Sequence, residues 1–465
     1  MPPGIAAISC LLFVAFLFWK DLRKPDVPRI SWAPLVWMFL AGSRYVSSWL
    51  SLRRPMLSVE AYAEGSPVDR AAFFLLIVWG IVVLARRNID WGRLLRENKW
   101  LALYLLYCLC SMAWSDEPVI LAKRWVKDLG NPIMALVLLT EQKPYEAVGV
   151  TLKRLSFLLL PLSVLFIRYY PQLGRAYKDD GTPMYTGVGS QKNDLGLMCL
   201  VTGMYFAWKL LRRPSDGKAA ADRIEPIHFS LVAMLVWLLR MSDSQTAVAC
   251  LAAVVGMLLV ARIPKVSSRP TLILPLIAIA IAGYVVLQQA FDLDSYVLAA
   301  MGRDASFTNR TNVWQIVASR QVDPLLGAGF MSFWTGERMA AIWKQLGANI
   351  NQAHNGYLEQ YVNLGYVGVA FVIAIMLSAL LKVRRQLEHD PTPGLLRMCL
   401  LVAAALYNFT EASFYGINNM WLLLLVASIN TRVSIRSREP VLNRGTIGNT
   451  TKARAVKWPR KVLAE

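Results

Sequence analysis

Long apolar runs, separated by clusters of charged residues, recur along the whole chain. Each run is about 17–22 residues long, which is the length that a helix needs to cross a bilayer. Helices satisfy their own backbone hydrogen bonds in lipid, so the pattern predicts an all-α polytopic membrane protein with about 11–13 transmembrane helices. The predicted spans are about 4–19, 31–50, 71–85, 100–114, 129–140, 155–170, 193–211, 227–241, 244–261, 271–290, 361–381, 396–412 and 417–430.

Three of these runs have unusual features. The run at 129–140 is short enough to be re-entrant, and the polar stretch RMSDSQT interrupts residues 227–261. The first run has no basic residues before it and no small-residue cleavage site after it, so we expect a signal anchor with its N-terminus outside.

Composition and charge agree with this class and predict an orientation. The chain is 56% hydrophobic and only 17% charged, against about 25% charged in soluble domains. If the spans alternate from an outside N-terminus, the cytoplasmic segments hold 33 Lys and Arg against 13 Asp and Glu, and the remainder holds 17 of each. The positive-inside rule then predicts a multi-pass protein with a cytoplasmic C-terminus. Basic loops facing anionic lipid explain the charge without a nucleic-acid partner.

The chain divides into a membrane domain, residues 1–430, and a basic tail, residues 431–465, which we expect to be disordered. The longest outer segment is a loop over residues 291–360. Within it Val313, Ile316 and Val317 recur at helical spacing, so the loop is predicted to be partly helical.

One of three histidines, His354, lies at the end of this loop. An imidazole titrates near neutral pH and can therefore accept a proton from a hydroxyl group. The alternative is an interfacial histidine that caps a helix. A site with several histidines is excluded, because His228 and His389 belong to the opposite face in the predicted topology.

The residues around His354 follow a pattern. His354 and Asn355 are followed by nine residues, then Gly365, two residues and Gly368. This resembles the signature of the O-antigen ligase and O-antigen/exopolysaccharide polymerase superfamily. The stretches WSDEP, GSQKNDLG, GRDASFTNRTNVW and PLLGAGFMSFW are similar to the exopolysaccharide-polymerase branch. The resemblance covers about residues 100–425.

The resemblance implies transfer of a glycan from a polyprenyl diphosphate donor to a sugar hydroxyl of a glycan or lipid A-core acceptor, at the outer face. It implies His354 as the base, with Asn355 orienting it or the acceptor; the alternative for Asn355 is a simple helix cap. The departing diphosphate requires cations, and arginine binds phosphate oxygens with a planar fork. The candidates for binding the diphosphate are Arg310, Arg303, Lys192, Asn193 and Arg240.

We expect no metal and no cofactor, because the single Asp-x-Asp stretch, residues 292–294, is better explained as a helix start or loop feature. One position departs from the family: Gln245 stands where a basic residue is expected, and Arg240 is the candidate to replace it. Glu359, one turn further on, is a weaker candidate to help hold the imidazole. Gly365 and Gly368 are expected to allow close helix packing.

A different class of function is a transporter or flippase of lipid-linked oligosaccharide. That function favours buried charges at mid-membrane and inverted repeats. The sequence has few such charges and no visible repeat, and its long outer loop is rich in arginine and aromatic residues. A passive scaffold would explain the helices but not this loop.

Overall fold

The computed structural model describes residues 1–24, 30–51, 65–177, 181–211, 225–291, 310–320, 322–347 and 349–431. Most of these residues are helical. In chain order the helices are α1 (Pro3–Leu22), α2 (Ala33–Ala41), α3 (Val46–Ser51), α4 (Pro67–Ala85), α5 (Trp91–Glu97), α6 (Lys99–Cys110), α7 (Pro118–Asp128), α8 (Gly130–Leu139), α9 (Pro144–Tyr169), α10 (Pro171–Gly174), α11 (Lys192–Leu211), α12 (Pro226–Ser242), α13 (Gln245–Val260), α14 (Pro264–Ser268), α15 (Ile273–Phe291), α16 (Arg310–Ala318), α17 (Gly336–Leu346), α18 (Gly356–His389), α19 (Pro391–Thr410) and α20 (Asn419–Ser428). Short 3₁₀ turns lie at Ser111–Ala113 and Pro270–Leu272, and one antiparallel hairpin joins β1 (Arg175–Tyr177) to β2 (Pro183–Tyr185).

The all-α membrane architecture is confirmed. Among the described residues six helices are long and apolar enough to cross a membrane, namely α1, α4, α9, α11, α18 and α19. Five shorter apolar stretches accompany them: Lys99–Ala113, Pro226–Ser242, Gln245–Val260, Pro270–Tyr284 and Asn419–Ser428. The number of spans, 11–13, stays a prediction, as do the orientation and the disorder of the tail, which lies outside the described residues after position 431.

The predicted span at 31–50 is wrong as a single helix. The structure breaks it into α2 and α3, with residues 42–45 between them. The polar residues of this turn explain the break. The hydroxyl of Ser43 donates to the carbonyl of Phe39 at 2.7 Å, and Arg44 donates to the carbonyls of Leu173 and Gly189. By contrast, the predicted interruption at RMSDSQT is confirmed, because α12 ends before Asp243, which has a left-handed backbone with φ of 48°.

The bundle has two distinct ends. We call the end at which α18 begins and α19 finishes the loop end. At the opposite end Lys20 pairs with Glu225 at 2.7 Å, and the side chain of Asn98 donates to the carbonyl of Asn430 at 3.1 Å. These contacts join segments that the charge pattern assigns to one side of the membrane.

At the loop end, α16 and α17 form a small core of their own, so the prediction of a partly helical loop is confirmed. Val313, Ile316 and Val317 are buried in it, as their spacing predicts. The other buried apolar members of this core are Ala328, Phe333, Trp334, Met339, Ile342, Ala353 and Val362.

Helix α18 is sharply kinked at Gly365, whose φ of 63° and ψ of −166° are not helical. A side chain at this position would bring its Cβ to 2.1 Å from the carbonyl oxygen of Leu325. At Gly368 a Cβ would lie 2.2 Å from that of Leu364 in the preceding turn. The two glycines therefore allow the kink, and the prediction that they serve close packing between helices is wrong.

The kink binds the loop through backbone hydrogen bonds. The N–H of Ala328 donates to the carbonyl of Val362 at 3.0 Å, and the N–H of Tyr366 donates to the carbonyl of Pro324 at 2.9 Å. Because an interrupted helix leaves such groups without intrahelical partners, the loop supplies the missing partners and is fixed to the start of α18.

Candidate active site

His354 lies just before α18, in a left-handed conformation with φ of 52°. The indole of Trp314 donates to the carbonyl of Ala353 at 2.8 Å, which fixes the preceding residue. The side chain of Asn355 accepts from the backbone N–H groups of Tyr357 and Leu358 at 3.0 and 3.1 Å. Asn355 is therefore the N-cap of α18 and holds the backbone that carries the imidazole.

Glu411, at the end of α19, brings three of the predicted site residues together. Its carboxylate lies 3.1 Å from Nδ1 of His354 and 2.6 Å from a guanidinium nitrogen of Arg310. It also accepts from the side-chain amide of Asn193 at 3.0 Å. We call these four residues the Glu411 cluster. They come from α11, α16, α19 and the turn before α18.

The neighbouring Thr410 reinforces this arrangement. Its carbonyl accepts a hydrogen bond from Arg310, and its hydroxyl lies 2.6 Å from the hydroxyl of Thr246 in the first turn of α13. The carbonyl of Glu411 accepts from the N–H of Gly356 at 2.9 Å. The ends of α13 and α18 therefore meet α19 at the cluster.

The Glu411 cluster lies at a partly open surface. The side chain of Glu411 is 7% exposed, while those of Arg310 and His354 are 17% and 24% exposed. A buried carboxylate is thus paired with two groups that solvent reaches. If Nδ1 of His354 donates its hydrogen to the carboxylate, Nε2 is left as the proton acceptor.

The remaining predicted residues lie differently. Lys192 begins α11, with its ammonium 3.9 Å from the carboxylate of Asp243. Arg240 is exposed near the end of α12, and none of the described hydrogen bonds or ion pairs joins it to the cluster. Arg303 and the Asp-x-Asp stretch at 292–294 lie outside the described residues.

Glu359 lies in the first turn of α18 and is fully buried. Its carboxylate accepts from the indole of Trp334 at 2.9 Å, the hydroxyl of Tyr415 at 2.6 Å and the amide of Asn363 at 3.1 Å, and also from the backbone N–H of Ala353. These bonds tie the loop core to α18.

None of the described hydrogen bonds joins Glu359 to the imidazole directly. The carboxylate hydrogen-bonded to His354 belongs to Glu411, whereas Glu359 bonds the backbone N–H of Ala353 next to the histidine. Sequence reasoning missed Glu411 because it is 57 residues from His354. The feature of the sequence that could have identified Glu411 is its position as an acidic residue at the end of the predicted span 396–412. In the predicted topology this end lies on the same side of the membrane as the loop.

Two comparisons with known proteins bear on this site. The O-antigen ligase family model matches residues 229–373, which include Arg310, His354 and the kink. The chain is also 23% identical to the exopolysaccharide production protein ExoQ of Rhizobium meliloti (strain 1021) over 311 residues, which cover 63% of this chain and 67% of that protein. Both comparisons support a similarity of this chain to the O-antigen ligase and polymerase superfamily.

This similarity agrees with the multi-pass architecture. The family carries out glycan transfer of the O-antigen ligase or polymerase type and implies lipid-linked glycan substrates in a membrane. Within the superfamily signature, His354 and Asn355 are the polar residues. Glu411 and Asn193 lie outside the matched residues; Asn193 was a candidate from the sequence, and Glu411 is the residue that the structure adds to the candidate site.

Proposed function

We propose that this protein transfers or polymerises a polyprenyl-diphosphate-linked oligosaccharide onto an acceptor sugar hydroxyl, at the outer face of the bacterial inner membrane. The observation that carries the proposal is the Glu411 cluster, in which one carboxylate binds both His354 and Arg310. A base and a cation side by side fit a reaction that removes a proton from the acceptor and releases a diphosphate.

In the proposed reaction Nε2 of His354 takes the proton from the acceptor hydroxyl. The hydroxyl oxygen attacks the anomeric carbon of the donor, and the bond from that carbon to the diphosphate oxygen breaks with its electron pair leaving on the diphosphate. Glu411 is a positioning residue in this scheme, because its carboxylate orients the imidazole and stabilises the imidazolium. No metal is assigned to the reaction.

The diphosphate needs positive charge in reach of the same place. Arg310 has five N–H groups, and its described bonds to Thr410 and Glu411 leave N–H groups for phosphate oxygens. Lys192 and Asn193 lie at the N-terminus of α11, where backbone N–H groups favour anions. The ammonium of Lys192 is also 3.9 Å from the carboxylate of Asp243, which lies two residues before Gln245. Lys192 can therefore supply the positive charge that is missing at position 245. Arg303 and Arg240 are the further candidates.

The similarity to an exopolysaccharide production protein favours polymerisation over ligation to a lipid A core. A polymerase would yield a ladder of repeating units on the lipid carrier, whereas a ligase would give single transfers to a different acceptor. Electrophoresis of the glycan products distinguishes the two outcomes.

The central test is His354→Ala, with glycan products and lipid-linked donor measured in the same cells. We expect loss of transferred glycan by at least about 100-fold, unchanged protein level and accumulation of donor. The matched control is His389→Ala, because His389 is an exposed histidine at the opposite end that bonds only a backbone carbonyl in the described structure. Undiminished glycan transfer by the His354→Ala variant would reject the role of His354 as the base.

The same experiment addresses the transporter alternative. If the protein moved lipid-linked oligosaccharide across the membrane, the donor in His354→Ala would accumulate on the cytoplasmic side. For a transferase we expect the lipid-linked donor to accumulate on the outer side of the membrane. Labelling of intact spheroplasts with a lectin that binds the donor glycan measures this.

A further inference from the structure

The turn that follows α19 carries Glu411 into the candidate active site. Glu411 is the first residue after the helix, and its backbone is extended, with φ of −138° and ψ of 162°. Its N–H still donates to the carbonyl of Tyr407 at 2.9 Å. The chain therefore changes from helical to extended at the residue whose carboxylate lies 3.1 Å from Nδ1 of His354. A group that fixes this change also fixes the carboxylate.

One turn earlier in α19, Asn408 bonds the chain on both sides of this change. Asn408 is 1% exposed. Its amide oxygen accepts from the backbone N–H of Ser413 at 2.8 Å, and its amide nitrogen donates to the carbonyl of Ala404 at 2.8 Å. The second bond holds the amide in one orientation, so that its oxygen faces the turn. Glu411 lies between the two residues that the first bond joins.

The start of α18 approaches the same amide closely. A Cβ at Gly356 would lie 2.2 Å from the amide oxygen of Asn408, so that only a glycine fits here without displacing the amide. The N–H of Gly356 donates to the carbonyl of Glu411 at 2.9 Å. Because His354 lies two residues before Gly356, the amide contacts the turn that carries the carboxylate and the chain that carries the imidazole.

The first turn of α18 also packs on both sides of Glu411. The hydroxyl of Tyr357 donates to the carbonyl of Ala405 at 3.1 Å, and its ring centre lies 5.1 Å from that of Phe414. The start of α18 is therefore held against α19 and against the turn that follows it. In such a packed arrangement a change at the amide of Asn408 moves the turn relative to α18.

We propose that Asn408 is a positioning residue, whose side-chain amide holds the turn after α19 so that the carboxylate of Glu411 meets the imidazole of His354. The inference rests on the proposed function, in which that imidazole is the base. Burial keeps Asn408 from a substrate, and its described bonds go to backbone groups. It therefore acts through Glu411, and a displacement of the carboxylate by about 1 Å is enough to slow transfer by 10-fold to 100-fold.

The test is Asn408→Ala in purified full-length protein, with the lipid-linked oligosaccharide extracted from cells that lack this protein as the donor. Transfer per folded molecule is measured over a range of donor concentrations. We expect kcat to fall by about tenfold or more. The apparent KM for the donor should change by less than about twofold, because the residues proposed to bind the diphosphate are unchanged. A loss that appears in KM alone would reject the positioning role.

The matched control is Asn419→Ala. Asn419 is also 1% exposed, and its side chain donates to the carbonyl of Met38 at 3.0 Å at the start of α20. Both variants are expected to lower the midpoint of thermal unfolding, because each removes a hydrogen bond of a buried amide. Only Asn408→Ala should lower kcat. Equal losses of kcat in the two variants would indicate a general effect on packing and contradict the proposal.

A second variant, Gly356→Ala, displaces the same amide from the side of α18, and it keeps the proposal testable if Asn408→Ala does not fold. The same fall in kcat is expected. Its control is Gly256→Ala in α13, where an added Cβ meets no atom within 4 Å. Unchanged kcat in Gly356→Ala, or an equal loss in Gly256→Ala, would overturn the proposal.

His354→Ala in the same assay separates this inference from the proposed function. If His354→Ala retains full transfer, the proposed base fails and the positioning role fails with it. If His354→Ala is inactive while Asn408→Ala and Gly356→Ala turn over like the wild type, only the role of Asn408 is rejected.

Discussion

Two glutamates flank His354, and their surroundings differ in kind. Glu359 is fully buried and bonded to neutral donors, the indole of Trp334, the hydroxyl of Tyr415 and the amide of Asn363. Glu411 is bonded instead to an imidazole and a guanidinium that solvent reaches.

This difference indicates different roles. A carboxylate surrounded by neutral donors inside the loop core fixes the backbone next to the histidine. A carboxylate shared by a titratable ring and an arginine can respond when either partner changes its charge or binds a substrate. Proximity in sequence pointed to Glu359, whereas the geometry assigns the imidazole to Glu411.

The largest effect is expected for Glu411→Gln. An amide keeps the shape but cannot stabilise an imidazolium, so glycan transfer should fall by about 100-fold or more at unchanged protein level. Glycan products per unit of membrane protein measure this. The control is Glu388→Gln, an exposed glutamate of α18 paired with Arg384 at 3.5 Å at the opposite end. Normal glycan transfer by the Glu411→Gln variant would reject the proposed role of the Glu411 carboxylate in positioning His354.

A smaller loss, about tenfold, is expected for Arg310→Lys. A lysine keeps the charge but cannot bond the carbonyl of Thr410 and the carboxylate of Glu411 with one planar group. The same glycan assay applies. Arg338→Lys is the control, because Arg338 lies in the same loop and pairs with exposed Asp116 at 2.8 Å. Equal losses in both variants would point to a general effect on the loop.

For Glu359→Gln the effect is expected on stability. The variant weakens hydrogen bonds to a buried charge, at a cost of about 1.5–3 kcal/mol. Thermal unfolding in detergent should show a lower midpoint, while transfer per folded molecule stays within a few-fold of the wild type. A normal midpoint with lost transfer would reverse the roles assigned to the two glutamates.

The smallest effect is expected for Asn355→Ala. Loss of the N-cap of α18 should cost about 1 kcal/mol, and Asn355→Asp should restore it. Transfer should follow the folded fraction in both variants. If Asn355→Asp restores stability but not transfer, Asn355 contacts the substrate in addition to capping the helix.

The sequence predicts the parts of this molecule that depend on local pattern. The apolar runs locate the helices, and the spacing of Val313, Ile316 and Val317 identifies the buried face of α16. The break inside residues 31–50 and the role of Gly365 could not be predicted, because both depend on backbone partners far away in the chain.

The candidate site divides in the same way. The histidine and the loop arginine follow from a local signature. Glu411 follows only from the fold, because four separate elements must converge before its carboxylate meets its partners. The position of Lys192 beside the turn that carries Gln245 likewise depends on how α11 and α12 are arranged.

The kink at Gly365 bears on how relatives of this protein can exchange parts. The loop that carries Arg310 and the helix that follows His354 share backbone hydrogen bonds between residues 324–329 and 362–367. A chimera that combines the loop of a relative with α18 of this protein would have to preserve the same pairing of backbone hydrogen bonds. Loop and kinked turn are therefore expected to be inherited as one unit, and a swap intended to change the glycan product should take its junctions beyond residue 367.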